Sequence, residues 1–182
     1  MTPALMMMIA AGAAAAEQSD VGLIDLGDPG ESLRWIAVHD SVMGGRSRGH
    51  LEVLDGMAVF SGQLSLENGG GFASVRTLPR DFGLAAATGL MLRVRGDGRT
   101  YRLRLRTDTS FDGVAWQYSF ATTDGEWTTV VAPLQRFVPV WRGRPVTGHG
   151  PLDRGRVQQL GFMAAGGQAG EFRLEVARVA AY

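Results

Sequence analysis

One short segment of the sequence matches a catalytic pattern. Residues 45–49 have the form G-x-S-x-G, which in α/β hydrolases places a nucleophilic serine on a sharp turn between a strand and a helix. Residues 50–54 then alternate between polar and apolar side chains, which is typical of a strand rather than of the required helix. The pattern therefore supports a serine hydrolase using Ser47 only as a weak alternative.

The composition excludes several other kinds of reactive site. The 182-residue chain has no Cys, so it has no disulfides, no thiolate metal sites and no thiol nucleophile. All 18 basic residues are Arg, and the absence of Lys excludes a P-loop lysine, a Schiff-base lysine and a Ser–Lys dyad. His39, His50 and His149 lack the spacing of metal ligands, which leaves only a site assembled from distant loops. We therefore expect a protein with no enzymatic activity, no cofactor and no metal.

The charge balance argues against two classes of partner. Eighteen acidic residues offset the 18 basic residues, so the formal net charge is zero. Proteins that bind nucleic acids or anionic membranes usually carry a surplus of basic residues. We therefore expect neither nucleic acid nor a membrane surface as the partner.

The first twenty residues differ from the rest of the chain. Residues 5–16 read LMMMIAAGAAAA, an apolar run that ends in small residues of the type that precede signal-peptide cleavage. The run is too short to span a membrane, so no stable membrane insertion is expected. We predict a leader over residues 1–20, with cleavage near residue 16, and a single domain over residues 21–182. A cleaved leader would place the protein in the periplasm or outside the cell, and an uncleaved one in the cytoplasm.

Short apolar segments recur after the leader and are separated by turn residues. The chain has 26 Gly and seven Pro to supply these turns, and it lacks a long amphipathic helical stretch. This pattern predicts an all-β fold, specifically a two-sheet antiparallel jelly-roll sandwich with roughly four to five strands in each sheet. The predicted strands cover residues 32–38, 49–54, 57–64, 71–76, 89–95, 100–106, 116–122, 127–133, 157–163 and 172–179.

Two of the predicted strands, 89–95 and 100–106, can be aligned as a hairpin if Asp97 and Gly98 form its turn. The facing residues on one side are then all apolar, in the pairs Val94 and Tyr101, Leu92 and Leu103, and Leu90 and Leu105. The other side carries arginines, with Arg93 facing Arg102 and with Arg95, Arg104 and Arg106 beside them. Facing like charges are destabilising, so we expect compensation from Glu171 and Glu175, or from an anionic ligand or acidic partner.

The four tryptophans bear on a second type of function, because tryptophan rings can stack on sugars. Trp35, Trp116 and Trp127 lie within predicted strands, where packing in the core is the expected role. Trp141 lies in a loop beside Arg142 and is expected to be exposed. A carbohydrate- or small-ligand-binding module is therefore kept as an alternative function.

Three segments together carry a recognisable pattern. They read W-I-A-V-H-D-S-V-M-G-G-R-S at residues 35–47, F-S-G-Q-L-S-L-E-N-G-G-G-F-A-S-V-R at 60–76, and R-V-R-G-D-G-R-T-Y at 93–101. In these segments the sequence resembles the complex I intermediate-associated protein 30 family, and the likeness covers nearly the whole chain after the leader. The resemblance implies a galactose-binding-like jelly roll. It also implies a non-catalytic, chaperone-like factor that binds unfolded protein and assists assembly of the respiratory NADH dehydrogenase complex.

The two glycine-rich motifs predict a binding site formed by two loops. Gly44 and Gly45 can adopt positive φ and present backbone N–H groups, while the side chains of Asp40 and Asn68 can hold the turns. The candidate binding residues are Asp40, Met43, Gly44, Gly45, Ser47, Asn68, Gly70, Phe72, Ser74, Arg76, Arg93, Arg102 and Arg104. The same loops could instead be only tight corners of the sandwich. The preferred function is a binding module that assists assembly of a protein complex, with protein partners and, alternatively, a carbohydrate or anionic ligand.

Overall fold

Thirteen β-strands and six short 3₁₀ helices make up residues 21–182, the part of the chain that the computed structural model describes. The predicted leader and its cleavage site lie outside the described residues. The strands are β1 (Val21–Gly22), β2 (Trp35–His39), β3 (Arg48–Leu54), β4 (Met57–Leu64), β5 (Phe72–Thr77), β6 (Gly89–Arg95), β7 (Thr100–Arg106), β8 (Ala115–Ala121), β9 (Trp127–Pro133), β10 (Val138–Trp141), β11 (Arg144–Pro145), β12 (Gln159–Ala165) and β13 (Gly170–Ala181). The 3₁₀ helices are Glu31–Arg34, Asp40–Met43, Glu67–Gly69, Leu84–Ala86, Leu134–Arg136 and Arg154–Arg156.

The strands form two antiparallel sheets that pack face to face. The first sheet has the strand order β3-β4-β13-β6-β9, with β1 paired to the end of β13. The second sheet has the order β11-β10-β8-β7-β12-β5-β2. The predicted fold class is therefore confirmed. The described sheets contain six and seven strands rather than four to five, because the short strands β1, β10 and β11 are too brief to show a periodic pattern.

Sequence periodicity located the long strands well. β4, β6, β7 and β9 begin and end at the predicted residues, and Asp55 and Gly56 form the predicted turn between β3 and β4. The main departure lies before β2, where Glu31–Arg34 forms a 3₁₀ helix instead of the beginning of a strand. The buried carboxylate of Glu31 stabilises this helical turn by accepting a hydrogen bond of 3.1 Å from the indole of Trp35.

The predicted hairpin between β6 and β7 is wrong. β6 pairs with β9 and β13 in the first sheet, whereas β7 pairs with β8 and β12 in the second sheet. Arg93 therefore lies opposite Thr129 and Arg178 rather than opposite Arg102. Residues 96–99 carry the chain from one sheet to the other. Because the apolar side chains of both strands face the same core in either arrangement, their alternation could not distinguish a hairpin from this crossing.

The hydrophobic core lies between the inner faces of the two sheets. Trp35 stacks on Phe162 across this core, with ring centroids 5.9 Å apart. Each fully buried Leu or Phe side chain contributes about 1.5–3 kcal/mol to folding, so the inner faces supply most of the stabilisation. The apolar side of the predicted pattern is confirmed, because 0% of the surface is exposed for Leu90, Leu92, Val94, Tyr101, Leu103 and Leu105.

Among the described residues, the predicted acidic compensation holds for Arg95 but not for Arg93 or Arg102, and it comes from Glu175 on the outer face of the first sheet. This residue of β13 lies opposite Arg95 of β6, and its buried carboxylate accepts hydrogen bonds from Arg95 and Arg173. Glu171 contributes differently, because its backbone carbonyl accepts a hydrogen bond of 2.8 Å from Arg99. Two arginines of this sheet, Arg95 and Arg173, therefore share a carboxylate partner in the fold.

Candidate functional site

The two glycine-rich motifs meet at the side chain of Asp40. Asp40 begins the 3₁₀ helix after β2 and is fully buried. Its Oδ1 accepts a hydrogen bond of 2.9 Å from the Ser47 amide, and its Oδ2 accepts bonds of 2.7 and 3.3 Å from the amides of Gly71 and Phe72. Burial alone would raise the pKa of Asp40, but these hydrogen bonds outweigh it and hold that pKa below its ordinary value. One carboxylate thus fixes both loops in one corner.

The glycines of this corner make room for the same carboxylate. A Cβ on residue 45 would lie 2.4 Å from Cγ of Asp40, and one on residue 70 would lie 2.5 Å from its Oδ2. Gly44 has a φ of +88°, which only glycine adopts readily. The amides of Gly44 and Gly45 donate to the carbonyls of Ser41 and Asp40. The tight corner already uses these amides, which favours the alternative that the two loops are corners of the sandwich over one in which the amides face a ligand.

Ser47 and Asn68 also act within the corner. Ser47 has no exposed surface, and its hydroxyl donates to the carbonyl of Ser65 and accepts from the amide of Ser65 at 3.0 Å. β3 follows Ser47 directly, where a nucleophile elbow requires a helix. This geometry leaves the hydrolase alternative without an accessible nucleophile. Asn68 donates from Nδ2 to the carbonyl of Gly44 at 3.1 Å, so it joins the second loop to the first.

A groove with a volume of about 620 Å³ lies beside this corner, on the outer face of the second sheet. Its floor is formed by β5, β12 and β7. Loop residues from the corner, from 111–113 and from 142–143 complete its walls. The residues that the sheet contributes are Val38, Phe72, Ser74, Val75, Arg76, Arg102, Arg104, Arg106, Gln159, Leu160, Gly161, Met163 and Ala165.

Gly161 separates two arginines in the floor of the groove. It pairs with Arg76 of β5 on one side and with Arg104 of β7 on the other. A Cβ on residue 161 would lie 2.4 Å from the carbonyl oxygen of Val75, so a larger residue requires the backbone to shift. Since neighbouring strands lie about 4.8 Å apart, the Cα atoms of the two arginines are about 10 Å apart, with no side chain between them.

Met163 lies two residues beyond Gly161 in β12 and faces the same groove. It pairs with Ser74 of β5 and with Arg102 of β7. Its sulfur lies 3.6 Å from Nη1 of Arg102 and 4.0 Å from Nη1 of Arg104. The floor therefore combines cationic groups with a polarizable apolar side chain.

The groove concentrates positive charge. Arg76, Arg102 and Arg104 form no ion pair with any carboxylate in the part of the chain that the structure describes, while Arg106 lies 3.8 Å from Asp108. Burial and the neighbouring arginine charges lower the pKa of Arg104 to about 10. Burial also lowers the pKa of Arg76 and Arg102. Arginine stays protonated at neutral pH, so these like charges face one another in the floor.

Hydrogen bonding in the floor is incomplete. The Nε–H groups of Arg76, Arg104 and Arg106 are buried and have no acceptor among residues 21–182. The outer nitrogens of two of these arginines have oxygen acceptors, because Arg76 donates to the carbonyl of Phe111 at 3.3 Å and Arg106 to that of Ser110 at 2.7 Å. Buried donors in proteins almost always have an acceptor, so the floor is suited to a ligand that brings acceptor atoms.

The structure brings together about half of the predicted site residues. Those that line the groove are Met43, Gly70, Phe72, Ser74, Arg76, Arg102 and Arg104, while Asp40, Gly44, Gly45, Ser47 and Asn68 build the corner beside it. Arg93 was also predicted to belong to the site, but it lies on the other sheet, with its guanidinium 5.7 Å from the ring centroid of Trp127. Arg106 could have been included from its alternation with Arg102 and Arg104. Gly161, Met163 and Phe111 gave no sequence signal.

The tryptophans lie away from the groove floor. Trp35 and Trp116 are buried in the core as expected, and Trp141 is 43% exposed as expected. Trp127 lies in β9 but is only partly buried, opposite Arg95 on the outer face of the first sheet, so its expected place in the core is wrong. Among the described residues that line the groove, none is Trp or Tyr, whereas five are Arg.

Neither a membrane-spanning helix nor a cluster of metal-binding side chains occurs within residues 21–182. No helix there is both long and apolar enough to cross a bilayer. The His, Asp and Glu side chains of this region also do not gather in threes around a common point that could hold a metal ion.

Comparison with known proteins identifies the family. The family model described as Complex I intermediate-associated protein 30 matches residues 24–176. The chain belongs to this family. The mouse member, "Complex I intermediate-associated protein 30, mitochondrial", is 29% identical over 164 residues, covering 79% of this chain and 50% of the mouse protein. The Drosophila melanogaster member of the same name is 28% identical over 183 residues, covering 87% of this chain and 61% of that protein.

The chain thus spans between one half and about three fifths of the length of these two members of the family. A solved structure shows the same fold without close sequence similarity. The family 11 carbohydrate-binding module of the cellulase Lic26A-Cel5E of Clostridium thermocellum superimposes with a TM-score of 0.66 at 17% identity, covering 88% of this chain and 93% of that module. At this identity the likeness establishes the shared jelly-roll sandwich and nothing about the ligand.

Proposed function

We propose that this chain is a non-catalytic binding module that assists the assembly of a protein complex, and that the groove on the second sheet is its binding surface. Family membership supports an assembly role, because its relatives carry the name complex I intermediate-associated protein. The respiratory NADH dehydrogenase complex is accordingly the proposed target. The proposed action is chaperone-like, in which the groove holds a subunit or intermediate before it is incorporated.

The groove is the proposed binding surface because its walls expose large apolar side chains that are not packed into the core. Val42 and Met43 are each 60% exposed and Phe111 is 62% exposed, although all three are large and apolar. They surround a floor of arginines. Exposed apolar side chains around a polar groove are typical of surfaces that bind another protein.

A carbohydrate-binding module is the alternative, and the lining of the groove distinguishes the two functions. Sugar-binding clefts use the flat rings of Trp and Tyr together with neutral hydrogen-bonding groups. Here the described lining contains five arginines, and its aromatic residues are Phe72 and Phe111. Arg142 is paired with Asp112 and Arg106 lies near Asp108, but Arg76, Arg102 and Arg104 have no carboxylate partner among the described residues. Their charge gives no advantage with a neutral sugar, so the lining favours a protein partner.

The test is affinity purification of the tagged protein from its native host, followed by mass spectrometry. The groove variant carries Met43→Ser and Phe111→Ser, two exposed positions where substitution should leave the fold intact. Arg136→Gln, an exposed position outside the groove, is the matched control. The wild-type and control proteins should retain subunits or assembly intermediates of the respiratory complex, and the groove variant should lose them. Equal capture by all three proteins, or recovery of oligosaccharide instead of protein, would contradict the proposal.

A further inference from the structure

The arrangement of the arginines in the groove floor lowers the stability of the folded protein. Arg76 and Arg104 face each other across Gly161, and neither has a carboxylate partner in the described residues. The first sheet shows how the same fold can pair its arginines, because Glu175 accepts hydrogen bonds from Arg95 and Arg173. Arg76 and Arg104 are both partly buried, and a partly desolvated cation without a carboxylate partner destabilises a protein. Their retention is explained if an anion from another molecule completes the site.

The gap above Gly161 fits the planar oxygen pair of a carboxylate. The strand register places Arg76 on one side of Gly161 and Arg104 on the other, and the buried Nε–H groups of both lack acceptors among residues 21–182. Guanidinium groups bind carboxylates through two parallel hydrogen bonds, and a turn of the terminal torsion brings the Nε edge to the ligand. A carboxylate in the gap would therefore supply the acceptors and offset the repulsion between the arginines.

The apolar walls identify what carries the carboxylate. A free inorganic anion would occupy only the floor, whereas the groove extends to the exposed side chains of Met43 and Phe111. Phe111 also lies under Arg76, whose guanidinium carbon is 5.3 Å from the ring centroid. A ligand that contacts both must present acidic and large apolar groups close together, as a peptide segment with alternating acidic and hydrophobic residues does.

We propose that the groove binds an acidic, hydrophobic segment of a protein partner, with one Asp or Glu carboxylate held between Arg76 and Arg104 above Gly161. Apolar side chains on either side of that carboxylate pack against Met43 and Phe111. This proposal rests on the proposed function and adds the chemical class of the segment that is recognised.

The experiment uses the purified chain and a short synthetic peptide in which glutamates alternate with leucine and phenylalanine. Fluorescence anisotropy measures binding of this peptide and of a matched peptide with Gln in place of each Glu. The Glu peptide should bind at least about tenfold more tightly, and its affinity should fall as salt is added. Arg76→Gln and Arg104→Gln should each weaken binding by about tenfold or more, and Arg136→Gln by less than about twofold. Thermal melting of each variant verifies that it is folded.

Three outcomes would overturn the inference. The first is equal affinity for the Glu and Gln peptides, and the second is an equal loss of binding in the Arg136→Gln control. The third is that neither peptide binds, whereas inorganic phosphate or a mixed-linkage tetrasaccharide binds and depends on the same arginines. If one of these is found while the Met43→Ser and Phe111→Ser variant still loses its partners in the native host, only the acidic-segment inference fails. If that variant keeps its partners, the proposed function fails as well.

Discussion

Arg76 and Arg104 face each other across Gly161 on the outer face of the second sheet, and neither forms an ion pair within the described chain. This relationship links stability to binding. Desolvation and like-charge repulsion act in the free protein, and both are relieved when an anion is bound. The two effects can be measured separately by substitutions that remove the charge but keep the volume.

Arg104→Met should stabilise the free protein and abolish binding. The substitution removes a partly buried cation whose pKa is already lowered to about 10, and it keeps an unbranched apolar side chain of similar length beside Met163. We expect a gain of about 1–2 kcal/mol, or a rise of a few degrees in melting temperature. Differential scanning calorimetry measures the effect. A clear fall in melting temperature would show that Arg104 is a structural residue.

Asp40→Asn should destabilise the corner strongly. The carboxylate accepts from three backbone amides of two different loops, and an amide side chain can replace only some of these bonds. The expected loss in the free energy of unfolding at neutral pH is about 2–3 kcal/mol, measured by urea denaturation. If the variant were as stable as the wild type, the corner would not depend on this carboxylate.

The same residue predicts a pH dependence. Because the hydrogen bonds from Ser47, Gly71 and Phe72 hold the folded-state pKa of Asp40 below its ordinary value of 3.8, ionised Asp40 stabilises the protein above that value. This stabilisation is lost as the pH falls through the folded-state pKa. The difference in unfolding free energy between wild type and Asp40→Asn should therefore be large at neutral pH and shrink well below pH 3.8. A difference that stays constant with pH would contradict this assignment.

Ser47→Ala should lower stability without affecting partner binding. The hydroxyl bridges the amide and the carbonyl of Ser65, and its removal leaves both groups of the turn without a partner. A loss of about 1–2 kcal/mol is expected in chemical denaturation. Any ester-hydrolysing activity of the purified protein that disappears in this variant would restore the hydrolase alternative.

Glu175→Gln should destabilise the first sheet. Burial alone would raise the pKa of Glu175, but hydrogen bonds from Arg173 and Arg95 outweigh it and hold that pKa below its ordinary value. Removing the charge leaves two arginines without their carboxylate, at an expected cost of about 1–3 kcal/mol. In a double-mutant cycle with Arg95→Gln the two losses should not add. Additive losses would show that the two side chains act independently.

The sequence predicted the sandwich because short apolar segments recur between turn residues and alternate with polar residues, as in β7. It could not assign strands to sheets. Leu92 and Leu103 were predicted to be neighbours in one sheet and instead lie in opposite sheets that enclose the same core. Alternation reports which face is buried, and this face is the same in both arrangements.

Only the part of the candidate site that the two glycine-rich motifs form could be predicted from the sequence. Asp40 and Asn68 were expected to hold the glycine loops, and both do, although Asn68 holds the first loop rather than its own. The groove depends on β12 lying between β5 and β7, which places Gly161 between two arginines. These strands are far apart in the sequence, and no local pattern reports their adjacency.

The central claim is that the outer face of the second sheet contacts the protein partner, and site-specific photo-crosslinking in the native host tests it most directly. A photoreactive amino acid is placed at Met43, on the groove wall, or at Val131, which is 48% exposed on the outer face of the first sheet. The account predicts crosslinks to one partner protein from position 43, reduced by Arg104→Gln, and none from position 131. Crosslinks from position 131 alone, or crosslinks from position 43 that are unchanged by Arg104→Gln, would contradict it.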